Sequence, residues 1–352
     1  GRFLRQMLHL GLNEDEEERM ALDGIIAHVA GGMRGEFNLR FGQPSKDVCF
    51  IIPEMFPFTD TKQVDPSTGN KGSLLARLEK QGNVPKIMFT NTSAEYWRGD
   101  AGLIHTDLET MSDAVESESV RRYHFAGTQH GSGIFPPIDI RESDGIRGQL
   151  PFNIVDYSPL HRAALVNLDR WVSGRGAAPI SRHPCLSDGT AVESRTLLTR
   201  FAKMPGVRVA SQTTRAIRLD YGPDIHSGRT TKLPAVEGKE YPALVSDIDD
   251  DCNELAGIRL PDITVPLATH TGWNLRDYSV GNPDLYIGIT GGLAGWTLPF
   301  ASTSTDRQLT GDNRLSIEER YKSKNNYLER IEAAARALVR NGYMLTEDVD
   351  RI

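Results

Sequence analysis

The residue of this sequence best placed for proton transfer is His130, which stands in the glycine-rich run AGTQHGSG of residues 126–133. The run follows the short apolar and aromatic segment 123–125, which is typical of a strand end. Small neighbours leave the imidazole within reach of a ligand, whereas a core position would bury it. We therefore predict that His130 is the leading functional residue.

A carboxylate follows the strand that precedes this one in the chain. Residues 84–91, with the apolar centre 87–89, predict a strand, and Glu95 follows shortly after its end, with Asp100 as a reserve acid. Parallel strands joined by right-handed crossovers place their carboxyl ends on one edge of a sheet. Glu95 and His130 can then meet there as an acid and a base.

A nucleophile for such a pair is not evident in the sequence. Ser93 is too close to Glu95 on the same loop to be the obvious partner, and Ser132 stands beside His130 itself. No G-x-S-x-G segment occurs in the 352 residues, so the nucleophile elbow of an α/β-hydrolase is absent from the chain as given.

The elements that must position these residues alternate in type, which predicts an α/β fold. Strands are predicted at 24–30, 84–91 and 121–125, and helices at 2–12, 14–22, 74–81 and 159–172, with a further short apolar run at 48–52. A linker is predicted at 174–184, which divides the chain into residues 1–175 and 176–352. The second part is predicted to be irregular and strand-bearing, with short apolar runs at 207–209, 243–245 and 263–267. A capping box of Ser316 and Glu319 and a C-terminal helix from 327 to about 342 follow.

Composition excludes several classes of partner. The net charge of -7, with acidic and basic residues mixed, shows no basic stripe for nucleic acid. No apolar run approaches the ~20 residues that span a bilayer. The three cysteines, Cys49, Cys185 and Cys252, have no CxxC spacing, so neither a disulfide framework nor a zinc site is predicted.

An acidic run at 247–254 resembles the start of a calcium loop but departs from it at two positions. Cys252 stands where the loop needs glycine, and Ile258 where it needs the bidentate glutamate. A solvated acidic turn is the favoured interpretation, so neither a metal nor a cofactor is predicted.

Several longer motifs resemble the bacterial α/β-hydrolase domain-containing family, and more distantly the glucuronoyl esterases. The segments that carry the resemblance are GRFLR at 1–5, RGEFNLRFGQPS at 34–45, NTSAEYW at 91–97, GTQHG at 127–131, TGWNLR at 271–276 and SIEERY at 316–321. In that family a segment of the type G-x-S-Q-x-G-R-F runs from the nucleophile into the first helix of this chain.

The resemblance implies a serine hydrolase, an esterase acting through an acyl-enzyme on a small-molecule ester without a cofactor. His130 would be the triad base and Glu95 its acid, and the nucleophilic serine would lie two or three residues before Gly1, with an oxyanion hole also upstream. The chain would then be a carboxyl-terminal fragment, inactive alone, whose partner is the missing N-terminal half of the same domain. The alternative is a non-catalytic binding or scaffold protein that keeps the hydrolase framework.

The fold class implied is the second half of a doubly wound α/β-hydrolase sheet (1–175), with the irregular accessory region and C-terminal helix (176–352) packed on it. Within it, the glycine-rich loop after the first strand carries Arg34, Asn38 and Arg40. Under the glucuronoyl esterase likeness the arginines would hold a substrate carboxylate, although a structural salt bridge is an equal alternative. The compartment is not predicted, because any export signal would lie upstream of Gly1.

Overall fold

A computed structural model of the chain describes residues 1–35, 56–143, 145–224, 229–287 and 294–352. The predicted apolar run 48–52 and Cys49 lie outside them. The helices of the described residues are α1 (Arg2–Leu10), α2 (Ala76–Gln81), α3 (Ser93–Trp97), α4 (Ser158–Val172), α5 (Ser194–Phe201), α6 (Pro261–Thr264), α7 (Ser304–Thr310), α8 (Ile317–Arg320) and α9 (Lys324–Arg340). The strands are β1 (Gly24–His28), β2 (Gln63–Val64), β3 (Lys71–Gly72), β4 (Lys86–Thr92), β5 (Thr106–Asp107), β6 (Ser112–Asp113), β7 (Val120–Phe125), β8 (Ile140–Arg141), β9 (Ile146–Arg147), β10 (Ala191–Glu193), β11 (Ile217–Asp220), β12 (Val236–Glu240), β13 (Leu244–Ser246), β14 (Ala268–His270) and β15 (Thr297–Pro299).

Within the described residues, three parallel strands form the central sheet, in the order β1-β4-β7. Gly24 is paired with Lys86 at one end of the β1 and β4 ladder, and Thr92 with Phe125 at the carboxyl end of β4 and β7. The prediction of a parallel α/β arrangement is confirmed. The ends of β4 and β7 therefore lie side by side, as the contact of Glu95 with His130 requires.

Helices cover both faces of the sheet, as expected for a strand such as β4 that has apolar side chains on both sides. Ile87 and Phe89 pack with α1 and α2, whereas Met88 packs with α4 on the opposite face. α1 is capped by Gly11, which follows its last residue and whose left-handed φ of 75° lets the chain close the helix with a backbone hydrogen bond. The helices predicted at 2–12, 74–81 and 159–172 are thus observed with small shifts at their ends.

One helix predicted in the first part of the chain is wrong. Residues 14–22 form a closed turn instead, with an antiparallel bridge between Glu14 and Met20. The Asn13 side chain bonds both the N–H and the carbonyl of Leu22, and Asp15 accepts the N–H groups of Glu17 and Arg19. These side chains compete with the helical hydrogen bonds, which is why the acidic run does not become a helix.

The region after residue 176 contains short two-stranded pieces, as predicted, but its details differ. Residues 207–209 are not a strand, and residues 263–267 begin within the short helix α6. Pro261 near the start of α6 favours a helical turn there. The Ser316 and Glu319 capping box is confirmed at α8, and the C-terminal helix is α9.

Residues beyond 176 also complete the edge of the central sheet. The N–H of His124 donates to the carbonyl of Arg182 at 2.8 Å, and the N–H of Ile258 donates to that of His124 at 2.7 Å. Part of the predicted linker 174–184 thus lies along β7. Among the described residues, no helix is long and apolar enough to cross a membrane.

Candidate active site

Glu95 and His130 meet at the carboxyl edge of the sheet. The Nδ1 atom of His130 lies 2.6 Å from Oε1 of Glu95, a short hydrogen bond. The Glu95 side chain is fully buried, whereas that of His130 is 38% exposed. A carboxylate accepts at this distance, so Nδ1 carries the proton and the lone pair of neutral His130 is on Nε2.

Glu95 is held by the first turn of α3. Its other oxygen, Oε2, accepts the N–H of Thr92 at 2.8 Å and the Thr92 hydroxyl at 2.6 Å. Burial alone raises the pKa of Glu95, but the hydrogen bond and charge of His130, the charge of Arg98 and the Thr92 hydroxyl outweigh it and bring the pKa to about 2. Glu95 is therefore a carboxylate at neutral pH, and both of its oxygens are bound.

The loop that carries His130 is fixed at several points. Gly127 turns the chain with a φ of +68°, and Asn153 Nδ2 donates to its carbonyl at 2.8 Å. Tyr157 donates its hydroxyl to the carbonyl of His130 at 2.7 Å. Among the described residues no hydrogen bond to His130 Nε2 is formed, which leaves this nitrogen available to a reacting group.

The start of α1 lies near this dyad. A Cβ atom at Gly1 would lie 2.3 Å from the carbonyl oxygen of His28, which is the last residue of β1. His28 Nε2 is 3.1 Å from the Tyr157 hydroxyl, the same hydroxyl that binds the His130 carbonyl. Burial, followed by the neighbouring His161, lowers the pKa of His28 to about 4. A neutral histidine thus connects the entry of α1 to the loop of His130.

Asp100, the reserve acid, has other partners. Its carboxylate accepts from Arg98 Nε at 2.6 Å and from the N–H of Gly32 at 2.8 Å. The structure brings Glu95, and not Asp100, to His130.

The three substrate-binding candidates do not come together in the described residues. Arg34 is 6% exposed and donates to Gln6 Oε1 at 3.3 Å and to the carbonyl of Phe56 at 2.6 Å. These contacts favour its structural role over carboxylate binding. Asn38 and Arg40 lie outside the described residues.

The acidic run 247–254 is a turn whose carboxylates have protein partners. Asp251 pairs with Arg320, Asp247 with Arg200, and Asp249 accepts two backbone N–H groups of its own turn. In the part of the chain that the structure describes, no group of three or more His, Cys, Asp or Glu side chains is arranged to hold a metal ion.

Sequence reasoning missed a second buried carboxylate under the same two loops. Oε2 of Glu254 accepts from Ser93 Oγ at 2.6 Å, from His124 Nε2 at 2.8 Å and from the N–H of Gly127 at 2.8 Å. Glu254 is 127 residues from Gly127 in the chain, and no local spacing signals the contact. Ser93 is thereby bound to Glu254 and not placed as a nucleophile.

The sequence model of the α/β hydrolase domain family matches residues 1–352, which is the whole chain. No curated protein and no solved structure matches.

Proposed function

We propose, since the chain belongs to the α/β hydrolase domain family, that Glu95 and His130 are the acid and the general base of a serine hydrolase. The reaction is the cleavage of a small-molecule ester through an acyl-enzyme, and it needs no cofactor. The observation that carries the proposal is the 2.6 Å bond between His130 Nδ1 and a fully buried Glu95, with the imidazole part exposed.

The order and place of the two residues support this assignment. In the α/β-hydrolase arrangement the acid and the histidine follow successive strand ends, after the nucleophile in the chain. Glu95 follows β4 and His130 follows β7, two strands that are paired in parallel.

We place the nucleophilic serine immediately before α1, in residues that precede Gly1 in the complete protein. The start of α1 packs against the carboxyl end of β1, at the sheet edge that also carries Glu95 and His130. A turn that enters α1 from this edge delivers its side chain toward the dyad. The likeness of GRFLR to the segment after a nucleophile elbow supports the same position.

In the proposed cycle, Nε2 of His130 takes the proton of the serine hydroxyl as its oxygen attacks the ester carbonyl. The imidazolium then gives that proton to the leaving alkoxide, and the acyl-enzyme forms. Water enters next, and its oxygen attacks the acyl carbon as it loses a proton to Nε2. The imidazolium then returns that proton to the departing serine oxygen, which releases the acid and restores the serine hydroxyl. Throughout, Glu95 holds Nδ1–H and stabilises the positive ring, which its pKa of about 2 allows at neutral pH.

Carboxylate binding by Arg34, Asn38 and Arg40 stays a prediction, and the buried contacts of Arg34 weigh against its part in it.

A fluorophosphonate probe tests the proposal, because it reacts covalently with an activated serine. We expect the complete protein to be labelled on a serine just upstream of Gly1, as located by peptide mass spectrometry, and the present chain alone to stay unlabelled. A complete protein that is folded and unlabelled would favour the alternative, a non-catalytic protein that keeps the hydrolase framework.

A further inference from the structure

The buried carboxylate of Glu254 bridges the two loops that carry the dyad. Ser93, whose hydroxyl donates to Oε2 of Glu254, is two residues before Glu95 at the start of α3. Gly127, whose N–H donates to the same oxygen, is three residues before His130. One oxygen atom therefore contacts both loops close to their reacting residues.

The bridge is closed by further bonds between the loops. The N–H of Thr128 donates to Ser93 Oγ at 3.2 Å, and His124 at the end of β7 donates to the same carboxylate oxygen. Ser93 and His124 are 0% exposed and Glu254 is 3% exposed. A buried carboxylate is costly unless donors satisfy it, and here three donors converge on Oε2.

The geometry points to Glu254 as a positioning residue, which we propose sets the distance between Glu95 and His130 from outside the dyad. The inference rests on the proposed function, since a positioning residue needs a catalytic pair to position. It also gives the region after residue 176 a part in the active site, because Glu254 comes from that region. Misplacement of a catalytic group by about 1 Å costs on the order of 100-fold in rate.

The readout is the Nδ1 proton of His130, which we expect far downfield in the proton NMR spectrum because its bond to Glu95 is short. Selective ¹⁵N-histidine labelling and its loss in His130→Ala assign the resonance. In Glu254→Ala we expect this resonance to disappear or broaden at temperatures well below unfolding. In Glu254→Gln, whose amide oxygen can still accept the three donors, we expect it to remain.

Asp348→Asn is the matched control for general destabilisation. Asp348 is also a fully buried carboxylate, but it pairs with Arg162 and bonds neither of the two loops that carry Glu95 and His130. Asp348→Asn is expected to lower the melting temperature and to leave the His130 resonance unchanged. Ser93→Ala removes only one of the three donors to Glu254 and serves as the test if Glu254→Ala does not fold. We expect it to broaden the His130 resonance.

An unchanged His130 resonance in folded Glu254→Ala, or in Ser93→Ala, would overturn the positioning role. That result leaves the proposed function intact, because probe labelling of the complete protein would still depend on His130. The opposite outcome is also distinguishable. If the His130 resonance responds to Glu254 but no probe labels the complete protein, Glu254 positions the pair and the proposed function is wrong.

Discussion

Glu95 is a fully buried carboxylate whose charge is stabilised on both oxygens. Its folded-state pKa of about 2 lies below the ordinary value of 4.5, so the unfolded chain binds more protons between these two values. The stabilisation is therefore complete above pH 4.5 and is lost as the pH falls toward 2. A shift of this size corresponds to about 3 kcal/mol at neutral pH.

This linkage predicts how Glu95→Gln behaves. We expect the variant to be less stable than the wild type by about 3 kcal/mol at pH 7 and by less than half of that at pH 3. Urea unfolding of both proteins at pH 7, 5, 4 and 3 measures the difference. Glu109→Gln, at an exposed site, serves as the matched control and should show no such trend. A difference that is the same at pH 7 and pH 3 would contradict the stabilisation of the buried Glu95 carboxylate.

At the scale of residues, the sequence predicts Glu95 and His130 better than it predicts the residues that hold them in place. His130 and Glu95 are recognisable because each follows a strand end, which is a local signal. Two details are not local. The contact of Glu95 with His130 Nδ1 depends on how β4 and β7 pair, and Asp100 does not compete for His130 because Arg98 binds it. Glu254 had no local signal, because its partners are far away in the chain.

At the scale of elements, the close approach of Gly272 to α3 positions the acid. A Cβ atom at Gly272 would lie 2.3 Å from the carbonyl carbon of Ser93 and 2.4 Å from the N atom of Ala94. These are backbone atoms, so no side-chain rotation relieves the clash. The start of α3, which carries Glu95, would have to move.

We expect Gly272→Ala to destabilise the chain by about 3 kcal/mol, since overpacking against backbone forces a shift. Gly131→Ala is the matched control, because nothing lies within 4 Å of a Cβ atom there. Its cost should stay within about 0.5 kcal/mol. Urea unfolding midpoints compare the two variants, and equal midpoints would show that α3 is not held by this contact.

Element predictions from the sequence succeed where apolar periodicity is strong, as in α4 and β4. They fail where side chains bind nearby backbone, as Asn13 does in the turn predicted as a helix. They also fail in short pieces such as α6, because four residues carry too little periodicity to separate a helical turn from a strand.

At the scale of the whole molecule, the two parts divided at residue 175 depend on each other. Backbone bonds from Arg182 and Ile258 complete the edge of β7, and Glu254 and Thr271 reach the loop of His130 through Gly127 and Asn153. The division itself stays a prediction. These contacts come from distant residues, so composition at the linker does not reveal them.

A chain that ends at residue 175 should therefore lose its cooperative unfolding. It would leave the β7 edge without its added bonds and expose the apolar residues of β7 that pack with Ile258. We expect a broad urea transition and dye binding typical of exposed apolar surface, in contrast to the full chain. A sharp transition in the shortened chain would show that residues 1–175 fold independently.

The most direct test of the central claim, that Glu95 and His130 activate a serine, is the rate at which a fluorophosphonate inactivates a protein that contains the proposed upstream serine. We expect His130→Ala to slow inactivation by at least about 1,000-fold and Glu95→Gln to slow it strongly, because the base and its orienting acid are lost. Asp100→Asn should retain most of the wild-type rate. Equal inactivation rates for the wild type and His130→Ala would contradict the account.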